Sequence, residues 1–250
     1  MKIKKWLKKV TPKYLLALRR KALYRESEKR FENICEKDIF DQIYNENLWG
    51  EPGVKAGSIY SGPGSHNEAY VEPYVSALAE YFGQFTSKPN VIDLGCGDFN
   101  VGSKIRGLFD RYTACDIVDK VISENKVKFA DRNVEFLQLN ILEDALPSVD
   151  VAIVREVLQH LSNEMIQKIL KNIRGRYAYL VVSENISQSI EFIPNKDQCT
   201  GIFANRAQNC SGVVLTEPPF NLKVLEEKEI CRVERVGEEI DLVTMIYKFA

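Results

Sequence analysis

The stretch VIDLGCGDFNVG, residues 91–102, decides the fold. Its first residues form a short apolar run of the kind that is buried as a strand, ending in the acid Asp93. Gly95 and Gly97 then allow a tight turn and let a ligand approach bare backbone before the helical VGSKIRGLF begins. A second strand, YTACDIV, ends in Asp116, about 20 residues on, where a carboxylate can accept hydrogen bonds from both hydroxyls of a ribose.

The alternation continues downstream. VISENKVKFA reads as a helix, NVEFLQLNI as a third strand and VDVAIVRE as a fourth. SNEMIQKILKNIRG is a helix capped by Ser162 and stopped near Gly175, and YAYLVVSEN is a fifth strand. The last 29 residues, from Leu222, read as two long strands joined at Val236–Gly237. This pattern predicts an α/β fold, a doubly wound Rossmann-like sheet of seven strands with the last antiparallel, plus an N-terminal helical extension. Ligands of such sheets bind at the carboxyl ends of the strands.

Upstream, the first ~85 residues look helical, interrupted by a Gly-, Pro- and Ser-rich loop at 48–68. A helix follows it, with Pro73 expected in the first turn and Val71, Tyr74, Val75, Leu78, Tyr81 and Phe82 on one face. Two segments are therefore expected: 1–87, with a basic helix, a helical segment and a lid loop, and 88–250, the ligand-binding domain. The chain has 250 residues and a formal net charge of -1, which excludes a polyanion-binding protein as a whole. Residues 1–25 nevertheless hold ten Lys and Arg and no acid. Their helical spacing of apolar residues fits a helix lying on an anionic membrane surface or one packed on the domain. No run reaches the ~20 apolar residues of a membrane span, and no signal peptide is evident. The six scattered cysteines then read as reduced thiols of a cytoplasmic protein, without zinc spacing.

Two nucleotide-type ligands compete for the glycine loop. A dinucleotide site wants a glycine at 100, where Asn100 stands, and Asp98 would set a negative charge beside a pyrophosphate. A phosphate-free cofactor fits better, and S-adenosylmethionine has a cationic sulfonium and ammonium that tolerate carboxylates. With Asp93-Leu94-Gly95-Cys96-Gly97, Asp116 and the terminal hairpin, the chain resembles the class I S-adenosylmethionine-dependent methyltransferases over about 88–250. It departs from them at Phe99, where that family's third glycine is expected.

The resemblance implies that Asp93, Gly95, Cys96 and Gly97 bind the cofactor and that Asp116 takes its ribose. It further implies that Ile117 flanks the adenine, Asn140 and Ile141 meet its edge, and Arg155 lies near the methionine part. The segment after strand four reads Arg155-Glu156-Val157-Leu158, not the Asp/Asn-Pro-Pro-Tyr/Phe of enzymes that methylate adenine or glutamine amines. Glu217-Pro218-Pro219-Phe220 occurs too late in the chain and is expected to shape a loop wall. The segment 40–65, with DLGCGDFN, REVLQHLS and EPPFNL, is similar to bacterial methyltransferases of surface-polysaccharide biosynthesis. That likeness implies O-methylation of a saccharide or an activated saccharide or phosphate precursor, for capsule or lipopolysaccharide. A quinone or lipid-linked acceptor, or a catalytically silent cofactor-binding subunit, are the alternatives. No nucleic-acid surface is expected.

His160, with Glu156 four residues before it, and His66 after the Gly-rich loop are the candidate bases. His160 reads equally as a residue orienting the turn before the Ser162-capped helix. Glu156-Val157-Leu158-Gln159-His160 lacks a second acid, so no metal is expected.

Overall fold

The structure is a computed structural model, and it describes residues 25, 29–50, 59–202 and 206–250. The basic segment 1–24 and the centre of the Gly-rich loop, 51–58, lie outside them. Helices are numbered here from α1, Glu36–Asn45, followed by the single turn α2, Pro63–His66, and α3, Glu68–Phe82. Then come β1 Val91–Leu94, α4 Asn100–Ile105, β2 Tyr112–Asp116, α5 Asp119–Lys128, β3 Glu135–Gln138 and β4 Val151–Arg155. A 3-10 turn at Leu158–His160 leads into α6, Asn163–Ile173, and then β5, Tyr179–Ser187. After a long irregular excursion, β6 Glu226–Glu234 and β7 Ile240–Lys248 close the chain. The seven strands run β3-β2-β1-β4-β5-β7-β6. The first five in the chain pair in parallel, and β7 enters antiparallel between β5 and β6. Strand order reverses between β2-β1 and β4, which opens a crevice at their carboxyl ends.

The apolar runs of β1 and β4 are buried on both faces, and successive residues serve opposite cores. Val91, Val151, Ile153 and Val181 pack with Tyr74, Leu78 and Phe82 of α3 and with Phe99, Phe109 and Phe136. Ile92, Leu94, Ala152, Val154, Leu180 and Val182 pack on Ile166, Ile169 and Ile173 of α6 and on Val213 and Leu215 of the excursion. Each fully buried aliphatic side chain stabilises the fold by about 1.5–3 kcal/mol relative to exposure. Ser162 caps α6, its side chain accepting from Met165 N, and Gly175 adopts φ +72 after the helix.

One local expectation is corrected. Pro73 is inside α3 and not in its first turn, because the helix starts five residues earlier, where Asn67 caps it by accepting from Ala69 N. Glu217-Pro218-Pro219-Phe220 forms a bend in the excursion after β5. Asn195 holds this bend through the carbonyls of Val214, Glu217 and Pro218, and Phe220 packs on the α6 side of the sheet. Among the described residues no helix is long and apolar enough to cross a membrane.

Candidate active site

A cavity of about 260 Å³ opens at the switch point, lined by β1, β2 and β4 ends, the glycine loop, α1 and the segment 61–65. Its floor is the turn after β1. Gly95 N and Cys96 N both donate to Cys115 O at 2.9 Å, which folds the loop back against β2. Gly95 and Gly97 have φ of +79 and +54, and a Cβ on either would collide with Val157 Cγ2 at 2.6 Å or Ser61 Oγ at 2.3 Å. The glycines are thus needed for backbone shape and for the close approach of two neighbouring loops. Phe99 keeps the left-handed conformation of the missing third glycine, with φ +57. Its ring is fully buried edge-on against Tyr112, Phe129 and Phe136, and that packing holds a conformation costing about 1–2 kcal/mol for a residue with a Cβ.

Asp93 and Asp116 stand on either side of this loop. Tyr112 Oη donates to Asp93 Oδ2 at 2.9 Å; Gly97 N and Val118 N donate to Asp116 Oδ2 and Oδ1 at 3.1 and 3.0 Å. Burial pushes both carboxyls up to about 6, against the pull of these donors. Each oxygen retains lone-pair capacity toward the cavity. Asn125 of α5 donates to Gly97 O at 2.7 Å and fixes the loop from below.

The segment 59–66 is strapped over the loop through Asp98. Ser61 N donates to Asp98 Oδ2 at 2.9 Å, Asp98 N donates to Ser61 Oγ at 2.7 Å, and Tyr44 Oη lies 3.0 Å from the same Oγ. His66 Nε2 is 2.5 Å from Asp98 Oδ2, with its ring stacked on Tyr60. His66 fastens the strap through Asp98, which itself lines the cavity. Asp98, whose charge argues against a bound pyrophosphate, ties two loops together.

At the far wall, Glu156 occupies the end of β4 with φ +54. Its Oε1 accepts from Arg235 and from Asn185 Nδ2 at 3.2 Å, and its Oε2 lies 3.1 Å from Arg155 Nη1. Burial alone would raise the Glu156 carboxyl, but Arg155 and Arg235 outweigh it and hold it below the ordinary value. A carboxylate so clamped positions guanidiniums and is a poor base. Arg155 Nη2 also donates to Gly64 O at 3.0 Å, and its guanidinium lies 5.1 Å from the Tyr74 ring centroid.

His160 closes the 3-10 turn, whose N-terminal amides are capped by a buried acid from the neighbouring strand. Val157 N, Leu158 N and Gln159 N donate to the Glu184 carboxyl at 3.1, 2.8 and 3.1 Å, and burial pushes that carboxyl up to about 8 against their pull. Burial pushes His160 down to about 4, against the pull of Glu156, so the imidazole is neutral near pH 7. Its ring is 5.5 Å from that of Trp49, which also meets Tyr44 edge-on at 5.0 Å.

The cofactor end shows one further departure from expectation. Asn140 and Ile141 do line the cavity, but the Asn140 amide is already engaged. Nδ2 donates to Glu36 Oε1 at 2.8 Å and Oδ1 accepts from Leu142 N at 3.0 Å. Glu36 thus joins Ile117 and Ile141 on this part of the cavity wall, a place the sequence did not suggest. Glu36, Trp49, Asn185 and Arg235 were all missed. They come from regions far apart in the chain, and none carries a local motif.

Trp49 Nε1, Tyr74 Oη, Arg155 Nε, His160 Nδ1, Asn185 Oδ1 and Arg235 Nε are buried on this wall without a hydrogen-bond partner. Buried polar groups are normally satisfied, so their convergence in one cavity marks a ligand site. The residues suit S-adenosylmethionine: acceptors at Asp93 and Asp116, bare backbone at Gly95 and Gly97, and aromatic faces compatible with a sulfonium. That cofactor supplies an electrophilic methyl group on its sulfonium.

Residues 92–178 match the family model described as a methyltransferase domain. A search of the curated proteins finds no match. Among solved structures, the chain is similar to the N-methyltransferase NodS from Bradyrhizobium japonicum WM9 in complex with S-adenosyl-L-homocysteine, at 14% identity and a TM-score of 0.57. That alignment covers 84% of this chain and 99% of the other. It is also similar to magnesium protoporphyrin IX methyltransferase (ChlM) from Synechocystis PCC 6803 with bound S-adenosylmethionine, at 12% identity over 87% and 99% of the chains, TM-score 0.54. A third, the DhpI complex with S-adenosylhomocysteine, shares 17% identity over 74% and 89%, TM-score 0.51. Identities this low establish the fold, while the domain match falls on the glycine loop, both aspartates and the His160 turn. Residues 92–178 thus match a methyltransferase domain, and the chain has the fold of these methyltransferase structures.

Proposed function

We propose that the protein methylates an oxygen of a saccharide, or of an activated saccharide or phosphate precursor, in the making of a bacterial surface glycan such as capsule or lipopolysaccharide. The observation that carries this reading is the pair of unpartnered acceptor and imidazole groups at the end of β4 and in β5. Asn185 Oδ1 and His160 Nδ1 are both buried on the cavity wall, and the imidazole is neutral. A hydroxyl aligned there can be held by the amide oxygen while the imidazole, in the tautomer that leaves Nδ1 unprotonated, takes up its proton as the methyl group is transferred. Arg155 and Arg235 beside them suit an acceptor bearing an anionic group. The strap 59–66 serves as the lid that keeps water from the sulfonium.

A lipid-linked form of such an acceptor is favoured by one observation. Val236, next to Arg235, is 89% exposed, and Ile190, on a segment tied to the same turn by Gln188 N donating to Glu239 O, is fully exposed. These side chains would set the active-site rim against the inner face of the membrane.

The test is release of S-adenosylhomocysteine with a panel of sugar nucleotides, amino sugars and lipid-linked saccharides. Turnover on a hydroxyl supports the reading. An N-methylated product, or S-adenosylmethionine binding with no turnover on any acceptor, overturns it, the latter in favour of a silent cofactor-binding subunit. His160→Ala retaining full turnover would remove the base assignment.

A further inference from the structure

Arg235 is brought into the active site by the β6–β7 hairpin, 79 residues from the Glu156 it binds. Its side chain is only 15% exposed, its guanidinium lies 5.0 Å from the Tyr70 ring centroid, and its Nε is buried on the cavity wall without a partner. On the other flank of Glu156, Arg155 is 7% exposed and likewise keeps an unpartnered Nε. Glu156 is thus shared by two guanidiniums, with Asp93 as the next carboxylate on the Arg155 side, so Arg235 is the one without a carboxylate of its own. A buried guanidinium N–H left unused is costly unless an acceptor completes it, and guanidinium groups favour carboxylate and phosphate oxygens.

The two arginines serve different ends of the cavity. Arg155 packs on Tyr74, lies close enough to Asp93 to act on its charge, and is tied to the strap at Gly64. This is the cofactor side. Arg235 sits on the opposite flank with Asn185, near enough to His160 for its charge to oppose protonation of the imidazole.

We propose that the methyl acceptor is an anion whose carboxylate or phosphate is bound by Arg235 through its unpartnered Nε–H. Arg155 faces the cofactor, and Glu156 holds both guanidiniums in place. This rests on the methyltransferase reading and narrows its acceptor to molecules with an anionic group within one side chain's reach of the methylated oxygen.

The experiment uses the full chain saturated with S-adenosylhomocysteine, so that the cofactor's own carboxylate is already accommodated. Inorganic phosphate, glucuronate and neutral glucose are titrated by chemical-shift perturbation, against wild type, Arg235→Gln and Arg235→Lys. Binding of phosphate or of glucuronate, at least about tenfold tighter than glucose, is expected, and the stronger of the two identifies the anion. Arg235→Gln should lose about tenfold or more of that affinity while binding S-adenosylhomocysteine like wild type. Arg235→Lys keeps a cation for Glu156, and therefore the fold, but should recover only part of the anion affinity, since it lacks the Nε–H. Glucose binding as tightly as both anions, or unchanged anion affinity in both variants, overturns the proposal. Failure of S-adenosylhomocysteine to bind would instead remove the methyltransferase reading itself.

Discussion

Lowering the pH from 7.5 to 5 is expected to weaken S-adenosylhomocysteine binding by about 100-fold, through two buried carboxyls. Asp93 and Asp116 both titrate near 6 because burial outweighs the donors from Tyr112, Gly97 and Val118. At pH 5 each is protonated about nine-tenths of the time, so a ligand needing both ionised loses about tenfold per carboxyl, or roughly 1.4 kcal/mol each. Asp116→Asn removes one of the two, and should show weaker binding at pH 7.5 with a slope of one proton instead of two. Stability moves in the opposite direction. A carboxyl raised from 3.8 to about 6 binds its proton more tightly in the folded state. Wild type should therefore gain on Asp116→Asn as pH falls from 6 to 4, by up to about 3 kcal/mol, and lose that advantage as pH rises through 6. Calorimetric titration with S-adenosylhomocysteine and urea unfolding of the apo protein, both across pH 4–8, measure the two effects. Affinity independent of pH between 5 and 7.5, or a stability difference of the opposite sign, refutes the reasoning.

Three further outcomes follow from particular contacts. Phe99→Gly should destabilise by roughly 2–4 kcal/mol and Phe99→Ala by about 1 kcal/mol more, since both lose the ring but only glycine is relieved of the left-handed strain; urea unfolding decides the order. Glu184→Gln removes an acceptor from the three amides of the 157–159 turn. It should cost about 1–3 kcal/mol and lower kcat through a displaced His160, with S-adenosylhomocysteine affinity kept. Because His160 titrates near 4, the pH–rate profile should show no limb from it between pH 5 and 7; a limb in that range abolished by His160→Ala would contradict its burial.

What the sequence revealed and what it hid divide by distance along the chain. The Gly95–Gly97 turn, Asp93 and Asp116 were legible because strand, turn and acid sit within one βαβ unit, where spacing encodes geometry. The count of seven strands and the antiparallel end followed from the same alternation and the terminal hairpin. Glu36, Trp49, Asn185 and Arg235 were not legible, since each reaches the cavity only when remote elements pack together. Asn140 was identified as a wall residue, but its amide is satisfied by Glu36, 104 residues away, and no local rule could show that. His66 was a candidate base because it follows the Gly-rich loop. Its pairing with Asp98 across the strap is a long-range contact of the same invisible kind.

The central claim, that this cavity binds S-adenosylmethionine, is tested most directly by calorimetric titration of the full chain with S-adenosylmethionine and, separately, with NAD. The account predicts saturable one-to-one binding of S-adenosylmethionine, weakened by Asp116→Asn, and none of NAD, whose pyrophosphate would meet Asp98 and the strap. Absence of S-adenosylmethionine binding, or binding of NAD in its place, would contradict it.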